Sequence, residues 1–546
     1  MAETKREIER KYEATRRTEL PDLTRAAGVA AVDDRGVTEL DAVYYDTPDL
    51  RLAADALTLR RRTGGEDAGW HLKFPVASGI RDEIRAPLSD TLPRGLAGLL
   101  RSRVRDGEVV PVVRLRSSRA VHHLRAEDGA LLAELSVDTV HAERLAPRGG
   151  GTADWTEIEV ELADGADEKV LDAVEKRLKK AGIRPSDAPS KLARALEETA
   201  GEHRPGKAAA KAARRAGEAQ AQGDAQDPDG KGVARHARRA GGGAAEQAAP
   251  DAGSAGDAVL AYVREQRDAL VALDPAVRRD LPDSVHQMRV ACRRLRSAFK
   301  TYRKVLDRTV TDPVGAELKW LAGELGHARD QEVLVARLRG LLDDTPRPLL
   351  LGPLRNRLRT WDAARTGGSR RRTLAALDSP RHLALLDALD ALLADPPLRG
   401  PAARPAADVL PKAVLKDHAR LAAAVDHALA LDPGHDRDLA LHEARKASKR
   451  ARYAAEAAVP TLGKPAKKLA GDVKSVQTLL GDHQDSVVAR DALRTLAVQA
   501  HDAGESAFTW GLLYAREEAA AAARERELPE VWAAAAEPAL RPDGSA

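Results

Sequence analysis

Glu7, Glu9 and Lys11 occupy every second position of Arg6-Glu7-Ile8-Glu9-Arg10-Lys11-Tyr12. In a strand, alternate side chains share a face. Two carboxylates and an ammonium then lie side by side, opposite Ile8, Arg10 and Tyr12. Such a set is costly to bury unless something between the charges needs both signs. A phosphate chain carrying its metal ion is such a thing: carboxylates hold the cation and the lysine holds the anion. The same spacing recurs through the first 200 residues. Leu57–Thr63 places Arg60 and Arg62 together, and Trp70–Phe74 does so for His71 and Lys73. Arg81, Glu83 and Arg85 alternate next. Val112–Leu124 carries Arg114, Arg116 and Arg119, Leu131–Val140 offers Glu134, Ser136 and Asp138, and Glu157-Ile158-Glu159-Val160-Glu161 sets three carboxylates in register.

One charged strand face is ordinarily the solvated face of a sheet. Solvation does not explain seven strand segments sorted into acidic ones at the two ends and basic ones between. A closed or nearly closed barrel with a polar lumen does. Its basic walls would take phosphoryl oxygens and its acidic strands a divalent cation. A turn at Tyr44–Leu50, a helix over about 166–181 and the stretch Ser190-Lys191-Leu192-Ala193-Arg194 complete this part.

The ordered set resembles a CYTH domain over about residues 3–200. This is the triphosphate tunnel metalloenzyme superfamily, which includes inorganic triphosphatases, thiamine triphosphatases and class IV adenylate cyclases. The resemblance implies an eight-stranded antiparallel tunnel. It implies Glu7, Glu9, Asp138, Glu157 and Glu159 as ligands of Mg²⁺ or Mn²⁺. Lys11, Arg60, Arg62 and Lys73 would grip the triphosphate with a base of the Arg114–Arg119 strand (Arg116 and Arg119 are the candidates), and Lys191 would close the tunnel end. Either Arg114/Arg116 or Ser117/Arg119 is the inward pair. Phosphoryl transfer needs positioning and charge neutralisation more than covalent chemistry. Glu159, orienting and deprotonating a water, and Lys11 are the expected catalytic residues.

Residues 201–256 are Ala, Gly, charged residues and Gln with almost no large apolar side chains, and read as a flexible linker. From 257 to 520 the period becomes helical, and a motif repeats. His286, Arg289, Arg293 and Arg296 are matched by His442, Arg445, Lys449 and Arg452, both stepping 0, 3, 7, 10. Lys319…Gly326…Asp330 is matched by Lys474…Gly481…Asp485. Two homologous halves follow, over about 257–400 and 405–520. Each stripe stacks like charges on adjacent turns, which destabilises an isolated helix by roughly 0.2–0.5 kcal/mol per pair and calls for an anion. Val290 stands where Lys446 does, so the first stripe is the less basic. The doubled pattern resembles a CHAD domain. That resemblance implies pseudo-symmetric helical bundles whose basic groove, lined by these residues with Lys319 and Lys474, binds inorganic polyphosphate. Met288 and Cys292 read as packing residues, and 521–546 as a tail.

The fold class is therefore α+β multidomain, a β tunnel followed by an all-α unit. At 546 residues the chain exceeds one core. With 32% charged residues and a net charge of +4, the charges must be patterned. A lone cysteine excludes a disulfide framework and a cysteine zinc site, and fits a reducing cytosol. No apolar run spans a bilayer and the N-terminus has no signal-like apolar segment. A cytoplasmic protein, associated at most with polyphosphate granules, is expected. The leading reading is a metal-dependent triphosphate or polyphosphate hydrolase with a polyphosphate-binding helical unit. The alternative is a polyphosphate-binding, granule-targeting protein without turnover. An adenylate cyclase would need an adenine site, which no residue identifies. A nucleic-acid binder would have few stacking platforms, because aromatics are 3% of the chain.

Overall fold

The computed structural model describes residues 3–65, 67–145, 150–200 and 253–540. The chain divides into two compact units whose boundary lies outside these residues, as does the expected linker up to 252.

The first unit is built on β1 (Glu3–Ala14), β2 (Ala31–Asp46), β3 (Thr58–Thr63), β4 (Gly69–Ala77), β5 (Ile80–Pro87), β6 (Val110–Arg125), β7 (Leu131–Arg144) and β8 (Thr152–Leu162). All pair antiparallel and close into a barrel in the order β1-β5-β4-β3-β2-β6-β7-β8. Helices α1 (Arg51–Ala54), α2 (Arg94–Val104), α3 (Lys169–Lys180) and α4 (Lys191–Glu198) surround it. Sequence alternation missed β2. Tyr44, Tyr45 and Asp46 finish that strand rather than opening a turn. The turn starts at Thr47, where the buried Asp46 carboxylate accepts the backbone N–H groups of Thr47, Leu52 and Ala53 at 2.7–2.9 Å.

Strand parity decides what the barrel holds. One face of β3–β5 packs Leu57, Leu59, Trp70, Leu72 and Ile84 against Leu96, Leu99 and Leu100 of α2. The same face of β7 and β8 packs Leu135, Ile158 and Val160 against Val170, Val174 and Leu178 of α3. The apolar face is thus the outside, covered by helices, and the charged face is the lumen. At one end the lumen itself turns apolar. There Ala42, Leu115, Val140, Ala142 and Trp155 receive Leu192 and Ala195 of α4, so this helix stoppers the barrel.

The second unit comprises α5 (Ala255–Arg278), α6 (Ser284–Thr301), α7 (Arg308–Glu324), α8 (Gly326–Asp343), α9 (Leu354–Thr366), α10 (Ser369–Asp378), α11 (Pro380–Ala394), α12 (Ala406–Ala430), α13 (His435–Leu462), α14 (Lys464–Asp502) and α15 (Phe508–Ala536). Helix α5 starts two residues inside the expected linker. A capping box fixes it: Ser254 accepts from Asp257 N–H, and the Asp257 carboxylate accepts in return. The repeat is visible as α6 against α13. Its continuation differs, being split between α7 and α8 at Leu325/Gly326 in the first copy and unbroken within the 39-residue α14 in the second. The halves share one core, because Leu295 and Phe299 of α6 cluster with Ala451 and Ala455 of α13. Met288 and Cys292 are fully buried in it, as packing residues should be. Helix α15 carries the chain past 520, so the expected tail is helical as far as Ala536. No helix among the described residues is long and apolar enough to cross a membrane.

Candidate phosphate and cation sites in the barrel and the helical groove

Cross-strand register joins the lumen residues into a belt. Lys11 faces Glu159, Asp138 faces both Arg119 and Glu157, Arg60 faces His71, Lys73 faces Glu83, and Glu7 faces Arg81. The belt is internally paired. Lys73 Nζ lies 2.5 Å from Glu7 and 3.5 Å from Glu83. Lys11 bridges Glu9, at 3.2 Å, and Glu159. Arg119 donates to Asp138 at 2.7 Å and to Glu159 at 2.9 Å. Arg62 pairs with Asp67, and burial together with Arg60 and Arg119 pushes its pKa down to about 9. Cations crowded enough to lower an arginine pKa favour an incoming anion.

Asp138, Glu157 and Glu159 converge, with one ligand atom from each within 4.8 Å of the others. Strand pairing puts Asp138 beside Glu157 and period two puts Glu159 next to it. Lys191, the first residue of α4, sits among them, its Nζ 2.9, 2.7 and 2.6 Å from the three carboxylates. Burial opposes its charge, but the three acids hold its pKa up. The buried Glu157 Oε1 faces that ammonium yet accepts no hydrogen bond. An all-oxygen set of three converging carboxylates fits a hard divalent cation such as Mg²⁺ or Mn²⁺. Glu7 and Glu9 stand outside the trio, on Lys73 and Lys11 respectively.

Two expectations change. Arg116 lies on the outer parity with Arg114, and both face the exposed-side Asp41, Arg114 at 2.5 Å and Arg116 at 3.9 Å. Ser117 and Arg119 are the inward pair, so Arg116 cannot reach a lumen ligand. Glu159 is the second. Burial would raise its pKa, but Lys11, Lys191 and Arg119 hold it well below the ordinary carboxylate range. That charge state suits holding cations and makes a weak base. The sequence also showed more than was assigned. Glu83 is fully buried against His71 Nδ1 at 2.8 Å, Lys73 and Arg60, and Arg81 donates to the Pro189 carbonyl at 2.6 Å. Their alternation in Arg81–Arg85 was the signal.

In the helical unit the inner members of the two stripes come together: Arg289 and Arg293 of α6, Arg445 and Lys449 of α13. Arg289 makes a two-pronged bond to Asp330 of α8 at 2.8 and 3.1 Å, lying over Gly326, where a Cβ would meet its guanidinium at 3.1 Å. Arg445 lies over Gly481 of α14 and feels Asp485. The Nε atoms of Arg289, Arg293 and Arg445 are buried without an acceptor. The outer members differ. Arg452 is bound to Glu456 at 2.6 Å, Arg296 is half-buried, and Lys319 and Lys474 are exposed. His442 Nδ1 lies 2.6 Å from Gln484 Oε1, and His286 is half-buried at the head of its stripe. Lys446 is exposed and paired with Glu443 on its own helix, so it adds nothing to the groove. The halves are instead unequal because Asp330 neutralises Arg289 directly.

Sequence comparison matches a CYTH domain over residues 5–196 and a CHAD domain over residues 261–494. The uncharacterized proteins MT2285 and Rv2226 of Mycobacterium tuberculosis are each 38% identical over 525 residues, covering 94% of this chain and 92% of each relative. Among solved structures, PptA from Streptomyces chartreusis is 23% identical with a TM-score of 0.44, covering 51% of this chain and 99% of its own. The CHAD domain from the plant Ricinus communis is 27% identical with a TM-score of 0.41, covering 54% and 95%.

Proposed function

The chain belongs to the CYTH and CHAD families, one domain of each, and from that premise we propose that it hydrolyses inorganic triphosphate or a related polyphosphate in the barrel and binds polyphosphate in the helical groove. One observation carries the reading: a closed barrel lumen whose inner face carries Arg60, Arg62, Lys73 and Arg119 together with an oxygen-only carboxylate trio, Arg119 lying directly against that trio. The cations would grip phosphoryl oxygens and hold the anhydride in line for water. Asp138, Glu157 and Glu159 would hold a divalent cation, Mg²⁺ or Mn²⁺, whose chemistry is to neutralise developing phosphoryl charge. Lys11, fixed between Glu9 and Glu159, would add a further positive charge at the reacting end.

The ammonium of Lys191 inside the trio favours a second reading, a tunnel that binds phosphate chains without turnover. Phosphate release from tripolyphosphate, ATP and long-chain polyphosphate separates the two. Each substrate is run with Mg²⁺, with Mn²⁺ and with chelator, beside Glu157→Gln. Metal-dependent release from tripolyphosphate that disappears in a folded Glu157→Gln protein is expected. Tight polyphosphate binding with no release from any substrate would establish the second reading.

A further inference from the structure

Lys449 is the member of the helical groove whose surroundings conflict most with its charge. It is half-buried on α13. Arg445, one turn before it on the same helix, and Arg293 and Arg289 of α6 all oppose its charge. Two carboxylates stand nearby. Asp330 of α8 is committed to Arg289. Asp485 of α14 is shared with Arg445 and also feels Arg337 and Asp482; burial keeps its own pKa raised. Among the described residues no carboxylate forms an ion pair with Lys449. The orphaned Nε atoms of Arg289, Arg293 and Arg445 mark the same place as short of acceptors.

Resting on the reading that this groove holds polyphosphate, we propose that binding of the polyanion is coupled to uptake of one proton, and that Lys449 takes it up. The bond formed is the third N–H of the ammonium; the proton comes from the buffer, and no covalent bond to the ligand is made or broken. The physical basis is that burial, Arg445 and Arg293 lower the pKa of free Lys449 to about 7, so much of the amine is neutral at that pH. An anion seated among the arginines reverses the sign of the local potential and restores the charge. An arginine cannot play this part, because a guanidinium does not give up its proton in proteins. The groove thus keeps three permanent cations and one that charges when the ligand arrives.

The sign follows from linkage. Below about pH 6 Lys449 is charged with or without ligand and takes up no proton there. Uptake rises to about half a proton near pH 7 and approaches one near pH 8. Affinity accordingly falls by about tenfold per pH unit over roughly pH 7.5–8.5.

The test is titration calorimetry of the full chain with long-chain polyphosphate, whose few chain ends titrate negligibly. It is run at about pH 7.5 in two buffers of different ionisation enthalpy, for the native protein, Lys449→Arg and Lys449→Met. Native protein is expected to show buffer-dependent heats, while both variants, folded by circular dichroism, bind with the uptake reduced by most of one proton per site, leaving only what His286 and His442 contribute. Lys449→Arg should also lose the alkaline fall in affinity. Equal heats in the two buffers for native protein overturn the proposal, as does an undiminished uptake in Lys449→Arg. No binding by native protein at any pH overturns the polyphosphate reading itself, and this proposal with it.

Discussion

At the scale of single residues, the barrel turns on which charges share a side. Arg116 and Arg119 are three positions apart in one strand and equally basic, yet opposite parity gives them unrelated surroundings. Replacing Arg119 with Ala should lower kcat/KM for tripolyphosphate by about 10²-fold or more, the usual cost of a lost donor to developing charge. Arg116→Ala should leave it within about twofold, since exposed ion pairs are worth little; equal losses would refute the parity assignment. Lys191 offers a second comparison. A metal ion and this ammonium claim the same three carboxylates. With Lys191→Met, the trio in chelator is a set of buried charges missing a partner, and the barrel should lose roughly 3–5 kcal/mol. Added Mg²⁺ should restore far more stability to the variant than to native protein, read by denaturant unfolding with and without the ion. An equal gain would mean that the cation sits elsewhere.

At the scale of elements, alternation made most strands legible, because lumen charge and outer apolar packing coincide along β4, β7 and β8. It failed at β2 for a physical reason. There the lumen face carries Ala42 and Tyr44, buried by the stopper helix, while Asp41 points outward to Arg114. The polarity rule is inverted at that end of the barrel, so the segment reads as a turn. The direction of the Arg114–Arg119 stretch was equally hidden, since three arginines on two parities leave the choice to pairing with β2. In the helices, spacing identified the stripes, but not that Glu456 and Glu443 would claim Arg452 and Lys446. The stopper can be tested directly. Leu192 is 1% exposed between the barrel's apolar end and α4. Leu192→Ala should cost about 2–5 kcal/mol and speed amide exchange in α4 ahead of the barrel strands. Unchanged exchange in α4 would mean that Lys191 alone anchors the helix.

At the scale of the whole molecule, each core cluster draws on one unit only. Those around Ile158, Leu72 and Val140 belong to residues 3–200, and those around Leu295 and Leu493 to 253–540. Calorimetry should therefore show two transitions. Polyphosphate should raise the helical one and Mg²⁺ the barrel one, each by roughly RT ln(1 + [L]/Kd) in free energy. Cutting the chain between the units tests whether they cooperate in function. If the groove feeds the barrel, turnover of long chains falls and turnover of triphosphate is unchanged; equal effects on both would exclude feeding.

The closure of the barrel also governs how it can be made. Strand β1 pairs with β5 and β8, and Lys11 meets Glu159 across 148 residues of sequence. Among the barrel's own strands, the first to be synthesised is the one whose second neighbour comes last. Contacts so distant are slow to form. Through that delay β1 presents an open row of N–H and C=O groups, the kind of edge on which nascent chains aggregate. Its side chains answer the hazard. Lys5, Arg6, Glu7, Glu9, Arg10, Lys11 and Glu13 charge both faces of the waiting strand. Charge on an unpaired edge repels a stray partner until the matching strand is synthesised. The charges that line the finished barrel thus protect the nascent one from misassociation.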